Sequence, residues 1–205
     1  MATVDSGKIM LDNEDLVLDL PFKGDRDYLR LADIFPAVSN LVCDRFGTQA
    51  QVDSLTIRRP LNCGILVSFQ PLNSSAGTFC VRCGSESIRG WIDETDRPAS
   101  RRISYDSSPL KAVAVSESDF ARLLEPLTGH TEFDVLAGLM TLVAGQVNHR
   151  FWWWCQLHLD TPLTKAYPIE VRIRHNLGGR CIVFDILQTG AAIGSARFMV
   201  DSPNP

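Results

Sequence analysis

The segment Gly129-His130-Thr131-Glu132-Phe133-Asp134 places an imidazole four residues ahead of a carboxylate, just before a strongly apolar run. Histidine is the side chain that most readily takes up and returns a proton near neutral pH. A carboxylate beside it can orient the ring. His130 is therefore the candidate general base and Asp134 its candidate orienting group, with Glu132 a weaker carboxylate candidate. The structural alternative for the same letters is a helix N-cap at Asp134 and a plain loop residue at His130. A second stretch, "DYLRLAD", sets Tyr28 and Arg30 on either side of Leu29 and ends on Asp33. Arg30 can bind an anionic group but cannot act as a base at neutral pH.

"FWWWCQLHLD", residues 151–160, is the most aromatic part of the chain. Under strict strand alternation Trp152, Trp154 and His158 share one face, and Trp153 shares the other with Leu157 and Leu159. The first face could wall a pocket for an acyl or aromatic substrate. Core and subunit contact is the favoured alternative, and His158 then has a structural role. His149 suits a helix C-terminus and His175 an exposed hairpin end. Cys80-Val-Arg-Cys83 has the spacing of a metal or redox site, but it stands alone and reads as strand, where residues three apart face opposite ways. The expectation is six reduced thiols, no metal site and no cofactor.

The elements that carry these residues come in two copies. "DIFPAVSNLV" (33–42) matches "DVLAGLMTLV" (134–143) at an offset of 101, and "SLTIRRPLN" (54–62) matches "QLHLDTPLT" (156–164) at an offset of 102. Two matches in order, at almost one offset, indicate an internal duplication. Ile34, Val38, Leu41 and Val42 recur at helical spacing, as do Val135, Leu139, Leu142, Val143 and Val147. Pro36 fits if the first helix has barely started, which puts Asp33 at or beside its N-cap and, by the repeat, Asp134 likewise. A long strand follows each helix, at about 49–59 and 151–161. Alternating runs broken by Gly and Asn then predict antiparallel hairpins. In the first copy "GILVSFQ" turns into "TFCVRC" and that into "SIRGWID"; in the second "PIEVRIRH" turns into "RCIVFDIL" and that into "AIGSARFMV". An early strand at 16–20 completes the first sheet. The polar stretch 93–109 reads as a connector, and 116–127 as a short capped helix or, preferably, a strap over a sheet edge.

With 205 residues, 45% of them apolar and 21% charged, the chain has a globular composition. A net charge of −4 and basic runs no longer than two argue against a nucleic-acid surface. The acidic N-terminus lacks a hydrophobic signal core, and 135–147 is too short to span a bilayer. The expectation is a soluble, cytoplasmic protein that binds neither nucleic acid nor membrane.

An apolar helix wrapped by a long-stranded antiparallel sheet, twice over, resembles the hotdog superfamily, and the duplication resembles a double hotdog. The fold class expected is α+β, with a first repeat at 1–92, a linker at 93–115 and a second repeat at 116–205. The resemblance implies an enzyme acting on acyl thioesters of coenzyme A or acyl carrier protein, a 3-hydroxyacyl dehydratase ahead of a thioesterase. A non-catalytic acyl-binding or complex-partner module is the alternative. It also implies a site between the halves near the helix N-termini, where peptide N–H groups and the helix dipole polarise a thioester carbonyl. His130 and Asp134 would catalyse there. Tyr28, Arg30, Asp33, Trp152, Trp154 and His158 would bind substrate. The partner is an acyl-CoA or carrier-protein thioester, and the assembly a homodimer or hetero-oligomer. The sequence departs from the family's dehydratases in lacking HxxxGxxxxP after His130 and any acid further along the second helix.

Overall fold

The structure, a computed structural model, describes residues 4–5, 8–9, 15–99, 101–147 and 152–200. His149 and the expected strand start at Phe151 lie outside them. In chain order the elements are β1 (Val4–Asp5), β2 (Lys8–Ile9), β3 (Leu16–Leu18), β4 (Phe22–Lys23), α1 (Leu31–Phe46), β5 (Ala50–Ile57), β6 (Cys63–Ser68), β7 (Gly77–Cys83), β8 (Glu86–Pro98) and β9 (Arg102–Ile103). There follow α2 (Ser108–Val113), β10 (Val115–Ser116), β11 (Phe120–Leu123), α3 (Glu132–Val147), β12 (Trp152–Leu159), β13 (Ile169–Leu177), β14 (Cys181–Gln188) and β15 (Ala191–Val200). No described helix is long and apolar enough to cross a membrane. The described residues form two compact units. One runs to Leu29 and resumes over Asp33–Ile103; the other comprises Arg30–Ala32 and the chain from Ser104 onward.

In the first unit the strands lie in the order β5-β7-β8-β6-β3, all antiparallel. In the second the order is β10-β11-β13-β14-β15-β12, again antiparallel. The repeat extends to the element bounds. An offset of 101 carries Leu31 and Phe46, the ends of α1, onto Glu132 and Val147, the ends of α3. An offset of 102 carries β5 onto β12. In α3 the buried residues Val135, Leu136, Leu139, Met140, Val143 and Ala144 recur at the helical period. In α1 the buried set is Leu31, Ala32, Ile34, Phe35, Val38, Val42 and Phe46. Phe46 meets Phe69 edge-on at 5.1 Å between centroids, and Phe69 meets Phe79 of β7 at 5.5 Å. Gly47 ends α1 at φ 89°, with its N–H donating to the Cys43 carbonyl, the left-handed cap that glycine makes without strain.

Three expectations need correction. The first helix begins at Leu31, so Asp33 lies inside its first turn and Pro36 well within the helix. There Pro36 forfeits the bond an N–H would make to the Ala32 carbonyl and crowds that carbonyl with its ring, and the buried residues on either side of it hold the helix together. Second, β6 and β7 are not a hairpin. Chain segment 69–76 crosses past β8, which pairs with β6 on one side and β7 on the other. Phe69 and Ala76, at its two ends, are buried and anchor the crossing, while the residues between them are exposed or half-exposed. Third, β8 runs on to Pro98. Cross-strand pairing with β6, from Ser68↔Trp91 to Cys63↔Pro98, overrides the polar composition that read as linker. For 116–127 the structure shows the preferred reading, a strap along a sheet edge with no helix. Phe120–Leu123 pairs with β13 and carries the two-residue β10 along the sheet margin.

Both copies of the long strand are bulged at the same step. The register shifts between Val52 and Ser54 in β5 and between Trp154 and Gln156 in β12, leaving Asp53 and Cys155 as the extra residues. The bulge reverses the alternation expected for the aromatic stretch. Trp154 opposes Phe198 and Leu157 opposes Ala196, both core residues. Trp154 is thus buried on the face of Leu157 and Leu159. His158 falls with Trp153 on the other side, half-exposed. Trp154, Phe198 and Phe184 form an aromatic ladder with centroid spacings of 6.2 and 5.6 Å.

Candidate functional site

The head of α3 is built by a reciprocal cap. Thr131 precedes the helix, and its Oγ1 accepts the Asp134 N–H at 3.1 Å. Asp134 Oδ2 in return accepts the Thr131 N–H at 3.2 Å and the Thr131 hydroxyl at 2.8 Å. This is a capping box with Asp in the third helical position. Asp134 Oδ1 accepts the Arg30 guanidinium at 2.5 Å. The side chains of Arg30 and Asp134 are 9% and 4% exposed, so two unit charges lie together out of water. Such a pair persists only with good geometry and satisfied lone pairs, and the three donors on Asp134 satisfy that condition.

Tyr105 covers the pair. The Arg30 guanidinium carbon lies 4.4 Å from the Tyr105 ring centroid, a cation–π distance. The same ring meets His130 edge-on at 5.5 Å. His130 does not contact Asp134. Its Nε2 lies 2.9 Å from the Asp106 carbonyl oxygen and its Nδ1 3.4 Å from that of Thr128. The orienting role expected of Asp134 is therefore filled by a backbone carbonyl, and the carboxylate goes to Arg30 and the cap. The Asp106 carboxyl accepts the Ser108 N–H at 2.8 Å. The Ser108 backbone and hydroxyl hold it below its ordinary range, and His130 and Lys111 add to this by their charge. Tyr167 is pushed up by burial and by the charge of Glu132.

Segment 104–113 is seated from behind. Leu110 of α2 is 1% exposed, and a Cβ built on Gly138 of α3 would stand 1.9 Å from Leu110 Cδ2. The missing side chain at 138 is the notch that receives Leu110.

Of the expected site residues, the structure gathers His130, Asp134 and Arg30 around the head of α3. Tyr28 and Asp33 belong to the first unit, where Asp33 pairs with Lys23 at 2.7 Å. Each repeat thus opens its helix on an aspartate bound to a cation. Trp154 is core and spends its indole N–H on the Gln156 carbonyl at 2.7 Å. Trp152 is half-buried at the start of β12. His158 Nε2 lies 3.0 Å from Asp160 Oδ1 in exposed surroundings. Sequence reasoning missed Thr131, although Thr-x-x-Asp before an apolar run is a legible cap. It also missed Tyr105 and Leu110, for which no local signal exists.

The fold is a hotdog fold, an antiparallel sheet with few helices. No family model matches the chain and no curated protein matches it. Among solved structures it is similar to the dehydratase domain of PpsC from Mycobacterium tuberculosis, in complex with C12:1-CoA. That match is 11% identical, covers 90% of this chain and 87% of that one, and has a TM-score of 0.51. The dehydratase domain of MlnD from Bacillus amyloliquefaciens is 10% identical over 98% of this chain and 96% of that one, at a TM-score of 0.49.

Proposed function

We propose that the chain is an acyl-thioester-binding domain made of two hotdog units, in which the acid–base chemistry of a dehydratase is blocked at the head of α3. The carrying observation is the buried Arg30–Asp134 pair. Loss of water from a 3-hydroxyacyl thioester needs a base for the α-proton and an acid for the departing hydroxyl. Arg30 stays charged at any physiological pH, and the Asp134 carboxylate has one oxygen on that cation and the other on the Thr131 cap, so neither is turned toward a departing hydroxyl. His130 is left alone, with Nε2 donating to a backbone carbonyl. Support for the thioester class comes from the similar dehydratase domain that holds C12:1-CoA.

A second reading keeps the full reaction, a 3-hydroxyacyl-CoA or acyl-carrier-protein dehydratase with His130 as base and Asp134 beside it. The position of a histidine directly before the α3 cap favours it. One experiment separates the readings. The protein is incubated with a panel of 3-hydroxyacyl-CoA and saturated acyl-CoA thioesters, with binding followed by native mass spectrometry and products by accurate mass. Retention of thioester without chemical change is the expected result. Loss of water that falls by about 10²–10⁴-fold in His130→Ala would establish the dehydratase instead. Release of free acid would indicate a thioesterase. No binding by any thioester would end the acyl-thioester assignment.

A further inference from the structure

We infer that residues 104–113 are a displaceable cover over the Arg30–Asp134 pair, hinged on the seating of Leu110 in the notch at Gly138. The inference holds whichever ligand the site takes. Of this segment only Leu110 is buried, and Tyr105 and Ser107 are half-buried. The α2 helix within it has six residues, too few to be stable without tertiary support. Its hold on the rest of the unit includes Leu110 against Gly138, Tyr105 on Arg30 and His130, and the Asp106 carbonyl on His130 Nε2. By contrast α3, beneath it, buries seven residues. Segments with few buried apolar contacts open locally at a small fraction of the global unfolding cost. Lifting this one would bare the face of the Arg30 guanidinium and free His130 Nε2 together, while the capping box and the ion pair stay in place. The cover therefore couples access to the pair with the availability of the imidazole.

The test reads the cover directly. Amide exchange is measured across 104–113 and α3, and carbethoxylation of His130 by diethyl pyrocarbonate at neutral pH is mapped by peptide mass spectrometry. Two variants unseat the cover without touching Arg30, Asp134 or His130. Leu110→Ala removes the knob, and Gly138→Ala fills the notch. Each should accelerate both exchange in 104–113 and His130 modification by at least about tenfold, with the buried amides of α3 unchanged. If either variant fails to fold, Tyr105→Ala decides. It should speed His130 modification while the Lys111 and Ala114 amides, which donate to the Ser107 and Leu110 carbonyls, keep their protection. The cover is overturned if His130 in the unaltered protein reacts as fast as in the unfolded chain. It is equally overturned if 104–113 exchanges only when α3 does, or if Tyr105→Ala leaves His130 modification unchanged.

Discussion

Arg30 and Asp134 stand 104 residues apart in the chain and 2.5 Å apart in the fold, both almost wholly out of water. The pair places a permanent cation on Oδ1 of the carboxylate at the head of α3, while Oδ2 is taken by the cap.

Removing one partner strands the other. Arg30→Met should destabilise the second unit by about 3–5 kcal/mol, because Asp134 is left as a buried, uncompensated charge. Adding Asp134→Asn, which keeps a capping side chain, should recover part of that loss. Urea denaturation of the two single variants and the double variant closes the cycle. Strictly additive effects would mean that the pair is not coupled.

The cap itself is worth less. Thr131→Ala loses the Oγ1 bonds to Asp134 and should cost about 1 kcal/mol, whereas Thr131→Ser should stay within a few tenths. The difference in Tm between these variants measures it. Equal loss in both would point to the Thr131 methyl group instead.

Cys155 carries a pH signature. Burial first, and then the neighbouring Cys181, pushes its thiol up to about 12 from an ordinary value of 9.0. The folded state holds the neutral thiol, while the unfolded chain ionises it from about pH 9. The contribution is thus complete below the unfolded value and is lost between it and the folded one. Stability should fall as pH rises through that window, by up to about 1.4 kcal/mol per pH unit from this group. Cys155→Val should lack that part of the slope. Identical slopes in the two proteins would disprove the assignment.

Gln188 clamps the loop that follows β12. Its Oε1 accepts the Thr164 N–H and hydroxyl, both at 3.1 Å, and its Nε2 donates to the Thr164 and Ala166 carbonyls, both at 2.7 Å. Gln188→Leu leaves those groups unpaired, at about 1–3 kcal/mol. Trypsin should then cut after the exposed Lys165 faster than in the unaltered protein, with the other sites unchanged. An unaltered rate at Lys165 would show that the clamp does not hold the loop.

Much of the fold was legible because duplication doubles every local signal. The helices at 33–42 and 134–143 and the long strands behind them could be read against one another, and the element bounds follow the two offsets. What could not be read depends on distant partners. Nothing local announces that β6 lies against β8 rather than β7, since both arrangements use the same alternating runs. The faces of 152–158 were misassigned because a single bulged residue resets the period of two. At the site, residue types were readable and contacts were not. His130 and Asp134 are close in sequence, yet one turns to the Asp106 carbonyl and the other to Arg30, and only the folded chain settles that choice.

The matching bulges at Asp53 and Cys155 reach beyond geometry. Two strands 102 residues apart carry a surplus residue at the same step, so the match between the two halves of the chain extends to the register of single residues. The surplus residue also sets what a one-residue deletion would do. Without Cys155, Trp154 opposite Phe198 would be followed directly by Gln156 opposite Arg197 and Leu157 opposite Ala196, a regular ladder. Leu157 and Leu159 would keep their places in the core, and the strand would lose only the kink and added twist that the bulge supplies.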